Sequence, residues 1–140
     1  MNKKSLALAL TCVLVCVVGR KPTGAEEPRD VSLVQLIANP DSFDGRPIRV
    51  VGYLTIEFEN TELYLHREDA EQALYKNGVW ADLGRAETKK YSTMNKKYVV
   101  VEGVFDSKQL GHMGSTSGTI AKIHRLEVWP TNLSDRRPTP

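Results

Sequence analysis

The chain has 140 residues, 19 of them lysine or arginine and 17 aspartate or glutamate, with 41% hydrophobic and 7% aromatic residues. That length suits one domain around one core and is short for two. A formal charge of +2 is too small an excess for a general nucleic-acid binder.

The first element is a leader. Asn2-Lys3-Lys4 gives a basic head, Leu6 to Val18 an apolar run, and Thr23-Gly24-Ala25 a small-residue site before Glu26. This is the pattern of a secretory signal peptide over residues 1–25, with cleavage after Ala25 favoured over Gly19. A transmembrane helix needs ~20 apolar residues, and Arg20-Lys21 interrupt this run first, so no stable membrane span is expected in the mature form. Cys12 follows Thr11 and Cys16 follows Val15, so neither makes a convincing lipoprotein box, and release is favoured over lipid anchoring. The expected location is periplasmic or extracellular.

Cleavage changes the chemistry of what remains. Both cysteines leave with the leader, so the mature chain has neither thiol nor disulfide. Lys3, Lys4, Arg20 and Lys21 leave too, so 15 basic residues face 17 acidic ones and the net charge becomes about −2. The expected organisation is a leader at 1–25, a folded domain at 26–130 and a polar, proline-rich flexible tail at 131–140.

Residues 25–30 read as a short lead-in. Val31, Val34, Leu36, Ile37 and Ala38 then recur at near-helical spacing, with Asp30 or Ser32 as cap and Asn39-Pro40 as stop. Asp44-Gly45 makes a turn into a long alternating strand from Pro47 to Phe58, with Ile48, Val50, Gly52, Leu54, Ile56 and Phe58 on its buried face. Gly52 in its middle predicts a bulge or a sharp coil. Further strands are expected at Glu62 to His66, Gly78 to Leu83, Lys97 to Asp106 and Thr119 to Trp129, with a helical turn within Arg67 to Tyr75. The last strand changes phase between Ile123 and Leu126, which predicts a bulge near His124 or Arg125.

Five strands, two with internal glycines, point to a mainly β fold: a small five-stranded OB-like barrel with a short N-terminal helix and one helical turn between strands. A β-sandwich is the alternative, but it ordinarily uses about seven strands. The segment Val31-Ser32-Leu33-Val34-Gln35-Leu36-Ile37-Ala38-Asn39-Pro40, the turn Phe43-Asp44-Gly45-Arg46 into Ile48-Arg49-Val50-Val51-Gly52-Tyr53-Leu54, and Gly111-His112-Met113-Gly114 together resemble a group of small exported bacterial proteins. The resemblance implies an OB-like fold. The group is functionally uncharacterised, so it assigns no site residue.

Candidate sites therefore rest on the residues. Tyr53, Tyr64, His66 and Trp80 fall opposite the apolar residues of their strands, where they form an outer aromatic patch unless the nearby helical segments cover it. Gly111 to Gly118 combines three glycines with His112, Met113, Ser115, Thr116 and Ser117, a composition suited to a flexible connection or a binding loop. Lys89, Lys90, Lys96 and Lys97 lie in a basic stretch, either a solvated loop or a patch for single-stranded nucleic acid. His66, His112 and His124 lack metal-ligand spacing, and no catalytic constellation, metal or cofactor is expected. The favoured function is an exported noncatalytic module that binds a protein or an envelope polymer through the aromatic face and the Gly-rich loop. The alternatives are an OB-type single-stranded nucleic-acid binder, with nucleic acid the less favoured partner, and a small periplasmic hydrolase using His112 or His66 with a carboxylate.

Overall fold

Ser32 starts the first helix by accepting the Gln35 backbone N–H on its hydroxyl oxygen, while the Gln35 side-chain oxygen accepts the Ser32 backbone N–H at 2.9 Å. In the computed structural model, which describes residues 26–130, this helix, α1 (Leu33–Ala38), follows a two-residue strand, β1 (Arg29–Asp30). Asn39 ends α1 and Pro40 opens a single 3-10 turn, as the Asn-Pro pair predicts. The expected leader, residues 1–25, and the expected tail, residues 131–140, lie outside the described residues.

The other strands are β2 (Pro47–Glu57), β3 (Asn60–Tyr64), β4 (Gly78–Ala81), β5 (Lys97–Asp106) and β6 (Thr119–Val128). Helices α2 (Arg67–Glu71) and α3 (Arg85–Lys90) follow β3 and β4. The fold is mainly β, a six-stranded mixed sheet ordered β1-β2-β3-β4-β6-β5 with an added β2–β5 pairing. The pairings of β2 to β6 thus close on themselves. Only β1 on β2 and β4 on β6 are parallel. The count exceeds the expected five because β1 adds a strand: Arg29 and Asp30 pair beside Ile48 and Arg49 where a lead-in was expected. The helix α3 was also not expected, because its alanine and charged residues carry no apolar stripe and all six residues stay largely out of the core.

Gly52 explains how one strand serves three partners. On one edge β2 meets β1 at Ile48 and Arg49, then β3 from Tyr53 onward, while its register with β5 runs unbroken from Pro47 to Leu54. The break falls at Gly52, where a Cβ would lie 2.6 Å from Leu63 Cγ, 2.8 Å from Leu33 Cδ1 and 2.8 Å from the Tyr64 carbonyl oxygen. The glycine marks a close approach of chain to chain, and not a bulge. The expected bulge in β6 is present. Glu102 faces Arg125 and Val104 faces Ala121, so three residues, 122–124, stand opposite Gly103 alone, and Lys122 takes a φ of 50°.

Inside the ring the core gathers Leu33 and Leu36 from α1 with Ile48, Val50, Leu54, Leu63, Val79, Val99, Val101, Phe105, Ile120 and Leu126 from the strands. Tyr91 and Met94, just after α3, pack against it together with Ile56. Phe58, expected on the buried face, is 92% exposed because β2 ends at Glu57 and the hairpin turns with Glu59 at a φ of 61°. No helix among the described residues is long and apolar enough to cross a membrane.

Candidate functional site

Strand register decides which aromatic residues meet. Tyr98, Tyr53, Tyr64 and Gly78 form one cross-strand row, and Glu62 and Trp80 form the next, all facing away from the apolar core. Of the two alternatives, an open patch or rings covered by a helical segment, the second holds for Tyr53 and Tyr64. Tyr53 is 7% exposed and Tyr64 2%, because α2 packs against β2 and β3 on that side. Tyr98 meets Tyr53 edge-on at 5.4 Å between ring centroids. Tyr53 and Tyr64 are thus part of the packing beneath α2 and not an open stacking face, whereas Tyr98 stays exposed at the margin.

His66 sits exposed at the entrance to α2, where its amide donates to Asp69 Oδ2 at 3.0 Å. Asp69 Oδ1 accepts from Asn77 Nδ2 at 2.8 Å, so this carboxylate joins the cap of α2 to the turn before β4.

Trp80 is half-buried and is the point where two chambers meet. The smaller, about 270 Å³, is lined by Glu59, Trp80, Asp82, Gln109, Gly111 and His112, with Leu110 and Thr119 completing it. The larger, about 770 Å³, lies between the β2–β3 hairpin tip and α3 and includes Phe58, Glu59, Trp80, Leu83, Arg85 and Lys89. Arg85 and Lys89 are four residues apart on α3 and so share one helix face. Gly111 lets the 107–118 loop lie against the indole: at its φ of 67° a Cβ would stand 2.9 Å from Trp80 Cε3.

That loop is fastened. Lys76 Nζ donates to the carbonyls of Gly114 and Thr116 at 3.0 and 3.1 Å, the Ser117 hydroxyl donates to the Lys76 carbonyl at 2.8 Å, and Ser117 N–H donates to the Gly78 carbonyl. Ser115 is spent inside the loop, its hydroxyl donating to the His112 carbonyl. Met113, at the tip, is 91% exposed.

The structure thus brings Trp80 and His112 together and leaves Tyr53, Tyr64, His66 and Ser115 outside both chambers. Of the basic residues, Lys89 lines the larger chamber, Lys90 lies 4.7 Å over the Tyr91 ring, and Lys96 and Lys97 are exposed at the start of β5. His112 shares its chamber with Glu59 and Asp82 but is hydrogen-bonded through its side chain to neither, so no acid–base pair is assembled. Among the described residues no cluster of three or more histidines and carboxylates could hold a metal.

One residue that sequence reasoning passed over lies under the site. Glu62, the strand partner of Trp80, is 3% exposed. Its Oε2 accepts the Tyr64 hydroxyl at 2.6 Å, and its Oε1 is buried with no hydrogen-bond partner among the described residues. Burial raises the Glu62 pKa above the ordinary carboxylate value, and the Tyr64 hydrogen bond offsets this only in part. The Tyr64 phenol is raised as well, by burial first and then by Glu62. The signal was in the alternation, which places Glu62 in phase with Tyr64, but an acidic residue in a short strand reads as solvent-facing. Glu59, Asp82, Gln109 and Arg85 were missed for a different reason: they sit in three separate connections that only the closed ring brings to Trp80.

No family model matches the chain, and no curated protein matches it. Among solved structures it is similar to a protein assigned as an aspartyl-tRNA synthetase from Leishmania major Friedlin, at 9% identity and a TM-score of 0.44, over 78% of this chain. The chain spans 22% of that protein's length, and at this identity and score nothing of its activity transfers.

Proposed function

We propose that this chain is an exported, noncatalytic binding module built on an OB-like barrel, and that it holds a protein or envelope-polymer partner in the groove across Trp80. The observation that carries the reading is the meeting of two chambers at that half-buried indole, between the hairpin tip and the fastened 107–118 loop. The OB-like reading is supported by the pairing order. With β1 set aside, the strands run first, second, third, fifth, fourth and back to the first, and in OB folds the second and third strands with their flanking loops form the ligand face. Export is supported by the basic head, apolar run and small-residue site of residues 1–25.

A photo-crosslinking residue placed at Phe58 or at Met113 in the full chain, expressed in its own cells, tests the groove. Both positions are to give the same adduct, while a control at exposed Val34 on α1 gives none. Equal labelling at all three, or none, removes the reading. In the same cells the protein is to be recovered from the envelope fraction with its N-terminus near Glu26, and unprocessed chain in the cytoplasm would overturn export.

A further inference from the structure

The groove at Trp80 is divided by charge. Glu59 and Asp82 edge the small chamber, whereas the large one is basic on its α3 wall, at Arg85 and Lys89, and acidic on its hairpin wall, where Glu57 stands beside Glu59, which reaches into both chambers. Among the described residues none of these five side chains takes part in an ion pair or a hydrogen bond, although opposite charges share the groove. Between the charges the wall is apolar, made of Trp80, Leu83 and the 92%-exposed Phe58.

Resting on the binding-module reading, we infer that the ligand of this groove is an extended peptide segment of a partner protein, with a lysine or arginine for Glu59 and Asp82, an acidic residue for Arg85 and Lys89, and an apolar side chain between them. A basic side chain entering the small chamber meets two carboxylates beside the Trp80 indole. The acidic residue meets two cations presented on one helix face. An extended chain places alternate side chains about two residues apart on one side, which lets one segment serve both chambers.

Two other ligand classes fit less of the site. A nucleic-acid strand repeats one negative charge along its length and would bring phosphate against Glu59 and Asp82. A glycan finds the indole and the carboxylates, but Phe58, more than nine-tenths exposed in the wall of the larger chamber, gains most by covering apolar protein surface.

The test selects short random peptides displayed against the purified protein, then titrates a synthetic copy of an enriched sequence. Enriched peptides are to pair a basic with an acidic residue across an apolar one. The double variant Arg85→Glu, Lys89→Glu, whose side chains are largely exposed and unpaired, is to weaken that peptide about tenfold or more. A peptide with its acidic residue changed to lysine is to recover binding to the double variant. Enriched peptides without the charge pattern, or equal binding by the double variant, overturn the inference. If a displayed glycan or oligonucleotide binds in a manner lost in Trp80→Ala while no peptide is enriched, the groove stands and its ligand is of that class. If no probe of any class depends on Trp80, in a variant shown to be folded by circular dichroism, the groove reading itself falls.

Discussion

Two buried glutamates in opposite environments, Glu102 and Glu62, contribute to the pH dependence of stability with opposite signs. Glu102 on β5 accepts Arg49 Nε and Arg125 Nη1, each at 2.7 Å, with His124 Nε2 at 3.3 Å. Burial alone would raise its pKa, but the hydrogen bonds and charges of Arg49 and Arg125 outweigh this and hold it low. A depressed folded-state pKa contributes stability above the unfolded value that is lost as pH falls through the folded one. Glu62 has the opposite sign. Its raised pKa favours the protonated form in the folded state, so its contribution is complete below the unfolded value and is lost as pH rises through the raised one. Glu62→Gln keeps an acceptor for Tyr64 and cannot ionise. It is therefore expected to lose the decline in stability expected of the wild type as pH rises past the ordinary glutamate value, measured by urea unfolding at a series of pH values. An unchanged pH profile would mean that Glu62 titrates as an ordinary surface acid. Glu102→Gln is expected to cost about 2 kcal/mol at neutral pH and less near pH 3, since it strips two guanidiniums of a charged acceptor.

At the level of elements, local grammar was legible wherever a residue acts on its near neighbours. Ser32 as a cap, Asn39-Pro40 as a stop and the alternation of Pro47 to Phe58 each specify their element without help, and β2 covers all of the last but Phe58. The phase change in β6 was legible for the same reason, since a shift in alternation moves a strand's apolar set to its other face unless an extra residue restores the register. What stayed hidden depends on partners distant in sequence. β1 exists because β2 offers it an edge, and Gly52 shows its role only once Leu33 and Leu63 converge on it. Gly52→Ala accordingly forces a methyl against a backbone carbonyl as well as two leucines, and a loss of about 3 kcal/mol is expected on chemical denaturation. The loop 107–118 makes a different case. Its glycines and hydroxyls suggest freedom, yet Lys76 holds two of its carbonyls from across the fold. Lys76→Met is expected to speed amide exchange at Ser115 and Thr116 while leaving the midpoint of global unfolding within about 0.5 kcal/mol, because an exposed side chain that ties a loop adds little to the core.

Across the whole molecule, closure makes the site and also sets where the fold is thinnest. The aromatic candidates were chosen from strand phase, which correctly put Tyr53, Tyr64 and Trp80 on one side but could not show that α2 covers the first two and leaves a groove only at the third. The groove itself was illegible because it joins a hairpin tip, a connection after β4 and a loop before β6, and nothing local relates them. Trp80 stands at the join of β4 and β6, where the register holds only Trp80 with Thr119 and Ala81 with Ile120, extended by hydrogen bonds from Trp80 N–H to the Gly118 carbonyl and from Asp82 N–H to the Ile120 carbonyl. The opposite side, β2 with β5, is paired without a break over eight positions. A short parallel seam contributes fewer cooperative hydrogen bonds than a long antiparallel one, so the ring should part there first. Native-state hydrogen exchange is expected to give the amides of Trp80 and Asp82 lower opening free energies than those of Val50, Val99 and Val101. A partner seated across Trp80 bridges the elements on both sides of that seam, so its binding should protect those two amides more than any in β2 or β5. Uniform protection around the ring would mean that closure is equally strong everywhere and that the groove does not lie on a weak join.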